Sequence, residues 1–338
     1  SELIYGEKGT IAGVVAGEFG KNPDGTPGPG YEPGMELHAK YTVFGEGCRG
    51  HLGKQLIEKF RLDNGKTPQH YGLGFKEIWT VPSEQHELGK VVHTGGWPLT
   101  EGASGGGFMY HLEDNQIAVG LIVDLNYANP HLSPFDEFQR YKTHPVIAKT
   151  LSGGERISYG ARAITKGGLN SLPKLTFPGG MIIGCDAGTL NFAKIKGTHT
   201  AMKSGILAAE TLAQAMLAGV EAGKDLDCLQ DRFDESWLKE ELYCSRNFGP
   251  AMHKFGTYLG GAFNFIDQNW FGGKFPVTLR DEKPDYAQMA ESSAFSKIDY
   301  PKPDGKLSFD KLSSVYLSNT FHEEDQLCHL RLKDVRIP

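Results

Sequence analysis

The amino-acid sequence predicts an α+β fold in about two domains. Three observations carry that expectation. Strand-like segments dominate from about Tyr71 to Tyr127. A short apolar run, Met181-Ile182-Ile183-Gly184, reads as a buried strand. A long segment from about Thr198 to Gly219 reads as a helix. With 338 residues, 39% of them hydrophobic and 22% charged, the chain is long enough for two ordinary cores.

From the start, Leu3 and Tyr5, then Ile11, Val14 and Val15, alternate like a strand pair around a Glu7-Lys8-Gly9 turn. The Pro/Gly-rich stretch from Asn22 to Gly34 reads as a flexible loop. Leu37 to Phe44 reads as a strand running into Gly45-Glu46-Gly47, and His51 to Phe60 has helical periodicity. Glu77 to Val81 and Ile117 to Leu125 read as strands, the second largely buried. Phe135 to Ser152 reads as a helix broken at Pro145, because proline removes a backbone donor and clashes with the preceding turn. In the long helix, Met202, Ile206, Ala209, Ala213 and Leu217 share one face, the expected core side. More helix fills Leu226 to Tyr243. Beyond Phe275 the chain is polar and Pro-rich, then strand-like near Ser314 to Leu317. There are no internal repeats.

The net charge of -6, spread without long runs, argues against nucleic acid as a partner, since phosphate binding needs a basic surface. The 44 glycines imply tight turns or backbone that approaches a ligand closely. Cys48, Cys185, Cys228, Cys244 and Cys328 form no C-x-x-C pair and share no metal-ligand spacing with histidines, so they read as reduced, mostly buried thiols. Without a signal peptide or an apolar run long enough to span a bilayer, the expectation is neither a secreted nor a membrane-spanning protein.

Gly184-Cys185-Asp186-Ala187-Gly188, between a buried strand and a long helix, is the most informative stretch. A strand ending in Gly-x-Asp suits a flavin: the acidic side chain accepts ribityl hydroxyls, and free N–H groups with the helix dipole face the ring or pyrophosphate. A plain strand-turn-helix with Asp186 as a cap reads equally well. Phe255, Leu259, Phe263, Ile266 and Trp270 recur at helical spacing between Lys254 and Lys274, which suits either an interfacial helix or a core helix. Gly102-Ala103-Ser104-Gly105-Gly106 matches the G-x-S-x-G of serine hydrolases, but Trp97 to Glu101 before it and Gly107-Phe108 after it lack the strand and helix which that motif needs.

GCDAGTLNFAKIKGTHTAMKSG (Gly184 to Gly205) closely resembles the flavin segment of the electron-transfer flavoprotein:ubiquinone oxidoreductases. So do FGEGCRGHLGKQL (Phe44 to Leu56), YGLGFKEIW (Tyr71 to Trp79), GGLNSLPKLTFPGG (Gly167 to Gly180) and YPKPDGKLSFDKLSSV (Tyr300 to Val315). The resemblance covers essentially the whole chain in the family's order. It implies an incomplete FAD domain of the two-dinucleotide-binding, glutathione-reductase-like type over 1–75 and 176–235. An antiparallel-sheet ubiquinone-binding domain would be inserted over 76–175. Helices including a membrane-surface helix would follow over 236–274, and the start of an iron-sulfur domain over 275–338. It also implies an activity: electrons from reduced electron-transfer flavoprotein pass via a 4Fe-4S cluster and FAD to ubiquinone, at the bacterial or mitochondrial inner membrane (matrix side). Geranylgeranyl-reductase-like flavoproteins share the architecture and are the nearest rival, against which YPKPDG weighs. A non-catalytic membrane-surface module would leave the flavin segment without a use.

Residue by residue, the resemblance puts Gly45 and Gly47 near the adenosine half of FAD and Asp186 at the ribityl position, within the turn from Gly184 to Gly188. Asn170 and Thr198 would hydrogen-bond the flavin or its ribityl chain. The ubiquinone contact corresponds to Gly105-Gly106, and the membrane-surface face to Phe255, Leu259, Phe263, Ile266 and Trp270. The family's N-terminal G-x-G-x-x-G segment and C-terminal cluster cysteines have no counterpart in the sequence. The expectation is therefore a chain inactive alone, with weak FAD binding or none, no cluster, and a structural Cys328.

Overall fold

A computed structural model of the chain describes residues 2–99 and 102–322. Its first strands, β1 (Glu2–Tyr5) and β2 (Ile11–Ala16), pair across the expected turn. β3 (Phe19–Lys21) and β4 (Pro27–Glu32) follow, then β5 (Met35–His38), which completes a sheet of order β1-β2-β5. The stretch read as a flexible loop is thus a hairpin. Asp24 Oδ1 accepts from the Thr26 backbone N–H at 2.9 Å and the Asn22 amide donates to Thr26 Oγ1 at 3.0 Å, so short polar side chains close the turn. The strand expected over Leu37 to Phe44 is split. β6 (Thr42–Phe44) leaves for another sheet and leads to α1 (His51–Phe60).

β7 (Tyr71–Thr80), β8 (Val91–Gly95), β9 (Gly105–His111), β10 (Gln116–Asp124) and β11 (Glu155–Thr165) form a five-stranded antiparallel sheet of order β11-β7-β10-β9-β8. Between β10 and β11, α2 (Pro134–Lys142) and α3 (Pro145–Leu151) divide at Pro145, as the proline dictates. Phe135, Phe138, Tyr141, Ile147 and Leu151 share a core with Phe75, Trp79, Val119 and Leu121. Alternation along β7 sends Phe75, Glu77 and Trp79 to the buried side. The buried Glu77 carboxylate accepts from Lys142 Nζ at 2.8 Å, Arg156 at 3.1 Å and the Trp79 indole at 2.9 Å.

The second core gathers around β12 (Thr176–Phe177) and β13 (Gly180–Ile182), which form the order β12-β13-β6, with β13 and β6 parallel. β13 runs into α4 (Gly184–Ala187) and then α5 (Thr198–Leu217), followed by α6 (Cys228–Asp234) and α7 (Trp237–Cys244). The expected core face of α5 is inverted: Met202, Ile206 and Leu217 are exposed, Leu217 at 90%. The helix instead buries Thr200, Ser204, Leu207, Ala208, Thr211 and Ala215. Small side chains bring it close to the turn after β13, and threonine and serine hydroxyls satisfy themselves on carbonyls three or four residues back.

α8 (Phe248–Trp270) is interrupted at Gly256, whose φ is 71°. No helix among the described residues is long and apolar enough to cross a membrane. The tail then returns over the sheet: the Tyr300 hydroxyl donates to Glu137 at 2.8 Å, and the Phe309 ring lies 3.7 Å from the Arg156 guanidinium. The strand expected near Ser314 to Leu317 is a helix, α9 (Lys311–Leu317), because Asp310 caps it by accepting from the Ser313 N–H at 2.9 Å. The four described cysteines are free but none is fully buried, since each lies at a turn or helix end. Cys328 lies outside the described residues.

Candidate functional site

The turn after β13 is held by two residues in left-handed backbone, Gly184 (φ 61°) and Gly188 (φ 91°), which glycine adopts without a Cβ penalty. It buries Asp186, 8% exposed, against Glu46 at the end of the β6 loop. The Glu46 N–H donates to Asp186 Oδ2 at 3.4 Å. The Glu46 carboxylate fills the N-terminus of α1, accepting from Leu52 N at 3.0 Å and Gly53 N at 2.7 Å. Asp186 fits only because Gly50 and Gly53 face it: a Cβ at either would lie 2.3 Å from Asp186 Oδ1. Burial pushes the Asp186 carboxyl up to about 6, with the Glu46 charge adding to the shift against the backbone donors of Glu46 and Gly50. Alongside runs a crevice of about 630 Å³ whose charged lining is Arg49, Lys54, Arg61 and Lys66 with Glu58, Asp63 and Asp186. Its cations suit an anionic group.

Gly45 packs toward Ile183, Gly47 faces Arg162, and Thr198 is exposed in the first turn of α5. The Asn170 amide is engaged elsewhere, donating to the carbonyls of Arg246 at 3.2 Å and Leu279 at 3.1 Å. Sequence reading missed Ser204, whose buried Oγ accepts from the Gly184 N–H at 2.9 Å and locks the turn onto α5. The three- and four-residue recurrence of Thr200, Ser204, Leu207, Thr211 and Ala215 was the available signal.

Gly105 and Gly106 open β9 rather than forming a loop. A Cβ at Gly105 would stand 2.1 Å from the Ile122 carbonyl. These residues, with Thr94, Ser104, Ile122 and Asp124, form one wall of a mostly apolar cavity of about 210 Å³. The other wall is Leu190, Phe192, Ala193 and Ile195 from the segment between α4 and α5, with Phe248 and Met252 of α8. The cavity thus lies on the seam between the sheet and the second core.

A chain of buried polar groups reaches this cavity. Ser104 Oγ donates to Asp124 Oδ2 at 2.5 Å, and Lys166 Nζ donates to the same oxygen at 2.5 Å. His253 Nε2 is 3.2 Å from Lys166 Nζ, and its Nδ1 is 2.9 Å from Asp281 Oδ2. His70 lies 3.5 Å from Asp281 and 2.6 Å from Asp285. Burial alone would raise the Asp124 carboxyl, but the Lys166 ammonium and the Ser104 hydroxyl hold it below the usual carboxylate range. Asp281 is lowered likewise, against its burial, by His253. His70, His253 and Asp281 offer ligand atoms within 4.8 Å of one another, but the Lys166 ammonium beside His253 opposes a metal cation there. Because Ser104 bonds a carboxylate rather than an imidazole, and a strand follows it, the hydrolase geometry is not present.

On α8, Tyr258 (89% exposed), Leu259 (72%), Phe265 and Trp270 (75%) face outward with Phe255. Phe263 and Ile266 are half-buried, Phe263 between Phe255 and Phe275. Lys274 pairs with Glu240 at 2.9 Å.

Residues 71–164, the five-stranded sheet with α2 and α3, match the family model described as "ETF-QO, ubiquinone-binding". Residues 305–338 match "Electron transfer flavoprotein-ubiquinone oxidoreductase, 4Fe-4S". The whole chain is 64% identical to the electron transfer flavoprotein-ubiquinone oxidoreductase of Pseudomonas aeruginosa, covering 61% of that protein. The chain belongs to the electron transfer flavoprotein-ubiquinone oxidoreductase family. The mitochondrial member from Bos taurus is 48% identical over 345 residues, and the chain covers 56% of it. The chain thus spans about three fifths of the length of these family members. A geranylgeranyl bacteriochlorophyll reductase-like protein from Thermoplasma acidophilum shares the fold, with a TM-score of 0.56 and 15% identity over 79% of this chain and 60% of that one. The family identity rests on sequence, and the rival reductase resembles this chain in fold alone.

Proposed function

We propose that this chain forms the flavin-facing and quinone-binding parts of an electron transfer flavoprotein-ubiquinone oxidoreductase, which passes electrons from reduced electron transfer flavoprotein to ubiquinone at a membrane surface. The observation that carries this reading is the seam cavity. One wall comes from the sheet matched by the ubiquinone-binding model, and the other from the segment that continues out of the Asp186 turn. Apolar walls of this kind suit a quinone ring, and backbone at Gly105-Gly106 meets a carbonyl without a side chain in the way.

The residues present fit FAD. A buried carboxylate cradled by Gly50 and Gly53 is an acceptor for ribityl hydroxyls, and Arg49, Lys54, Arg61 and Lys66 of the adjoining crevice are donors for a pyrophosphate. Asp186 would accept the hydroxyls, Arg49 and Lys54 would neutralise phosphate, Gly45 and Gly47 would admit the adenosine half, and Thr198 would donate to the flavin. Bound there, FAD would take electrons singly from a protein donor and give two to a quinone. Leu190, Phe192 and Phe248 would exclude water from the ring. A 4Fe-4S cluster needs four ligands, usually cysteines, and Cys328 is the one cysteine in residues 305–338. The residues of that segment do not fit a cluster by themselves.

The domain limits proposed are 1–75 with 176–235 for FAD, 76–175 for ubiquinone, 236–274 for the surface helices and 275–338 for the iron-sulfur segment. The outward aromatic side chains of α8 support contact with a bacterial or mitochondrial inner membrane. A photoreactive ubiquinone analogue on the holoenzyme tests the reading. Labelling should fall within 104–106, 190–195 or 248–252, and labelling elsewhere would overturn it. In the same holoenzyme, Gly106→Leu should block ubiquinone reduction while electron transfer flavoprotein still reduces the flavin. Loss of both half-reactions would make the Gly105-Gly106 strand purely structural.

A further inference from the structure

We propose that Ser104, Asp124, Lys166 and His253 form the line that delivers a proton to ubiquinone as it is reduced, with Asp281, His70 and Asp285 positioning His253 at its outer end. The proposal rests on the quinone site argued above and concerns how that site is supplied with protons.

Ubiquinone reduction consumes two electrons and two protons, and the apolar lining of the cavity, Phe192, Phe248 and Ile122 among it, supplies none of those protons. Ser104 and Asp124 are the polar groups on its wall that connect inward. Asp124 is 1% exposed, and its second oxygen, Oδ1, is buried without a hydrogen-bond partner among the described residues. A buried carboxylate oxygen left unpaired beside a ligand cavity is costly unless a ligand group completes it. The line continues by hydrogen-bond steps from Asp124 to Lys166 (2.5 Å), to His253 (3.2 Å), to Asp281 (2.9 Å). His253 and Ser104 also line a second crevice of about 280 Å³, with the exposed Gly256 and Thr257 at its edge, so water can reach the far side of the network. Three separate parts of the chain converge here: the sheet end (His70, Ser104, Asp124, Lys166), α8 (His253) and the tail (Asp281, Asp285). A structural ion pair needs one partner, not seven groups strung between two cavities.

FAD, when bound, would supply the two electrons, and each quinone C=O would become C–O–H. At the oxygen beside Ser104, the Ser104 O–H bond breaks as the new O–H bond forms. Ser104 Oγ regains a proton through Asp124 Oδ2 from Lys166 Nζ, and the neutral amine of Lys166 is reprotonated from solvent through His253. The other carbonyl takes its proton from water. Ser104 and Asp124 are catalytic residues in this scheme, while Asp281, His70 and Asp285 position His253.

The test uses the holoenzyme with Ser104→Ala, which removes the donor without stranding a buried charge, and Ser104→Thr, which restores a hydroxyl. Turnover is measured with a ubiquinone analogue and with ferricyanide, a one-electron acceptor that takes no proton. In Ser104→Ala the ratio of ferricyanide to ubiquinone turnover should rise about 100-fold, the size of a general-acid contribution. Ser104→Thr should bring the ratio back toward wild type. His253→Gln should enlarge the solvent deuterium isotope effect on ubiquinone turnover, because reprotonation becomes limiting. An unchanged ratio in Ser104→Ala, with photoreactive quinone still labelling the cavity, would overturn the proton line alone. Equal loss with both acceptors would also overturn it, in favour of a structural role. Labelling that falls elsewhere in the wild type would overturn the quinone site and the line together.

Discussion

Asp186 illustrates what one residue can reveal in a sequence and what it cannot. Its place in a turn is legible because glycines flank it between a strand and a helix, although the spacing alone suits a helix cap as well as a flavin contact. The Glu46 charge beside it, 140 residues away, leaves no such trace. The consequence is measurable through pH. The folded carboxyl ionises near 6, against 3.8 for an unperturbed aspartate, so between those values the folded chain binds more protons than the unfolded one. Stability from this group is therefore full below about pH 4 and declines as pH rises through about 6. In thermal melts of the apo chain at pH 4, 5 and 6, Asp186→Asn should flatten that part of the decline, and an unaltered slope would sink the assignment. Glu77 is a second case. Its charge falls on an alternating strand, where sequence reading expects an apolar side chain, yet Lys142 and Arg156 meet it in the core. Glu77→Gln would strand two buried cations and should cost about 3–5 kcal/mol in urea unfolding. Lys142→Met in the same chain should recover part of the loss. The buried line from Ser104 to Asp285 was illegible for the same reason: its members are scattered from 70 to 285 and meet only in three dimensions.

At the scale of elements, the boundaries of α1 and the break between α2 and α3 were readable, because apolar period and proline act locally. The inward face of α5 was not. Counting hydrophobicity favoured Met202, Ile206 and Leu217, whereas packing favoured small residues that let the helix approach the Gly184 turn closely. In α9 the apolar alternation suggested a strand, and one cap at Asp310 decided for helix. The α8 periodicity was real, but the break at Gly256 and the packing of Phe263 moved the outward surface to Tyr258, Leu259, Phe265 and Trp270. Replacing Leu259 and Trp270 together with serine should release the holoenzyme from anionic liposomes. It should leave the melting temperature nearly unchanged, since exposed side chains contribute little to the fold. A large drop in melting temperature with unchanged co-sedimentation would refute the interfacial role.

For the molecule as a whole, the sequence indicated two cores but not what joins them. Residues 275–322 do much of that joining, tying Asp281 and Asp285 to His70 at one end and laying Phe309 between Trp79 and Arg156 at the other. A polar, Pro-rich tail carries no apolar period, so its grip on the sheet could not be read from composition. Phe309→Ala should lower unfolding free energy by about 2–3 kcal/mol, less than for a fully buried phenylalanine. It should also speed amide exchange in β11, and unchanged exchange there would show that the tail merely lies on the surface. The seam cavity has a further implication, for divergence among relatives. Its two walls come from separate parts of the chain, so, with quinone bound there as proposed, substitutions at Thr94 or Ile122 would reshape one wall without touching the turn that holds Asp186. On that proposal acceptor preference would be a modular trait, open to change by selection or by design while the Asp186 turn stays constant.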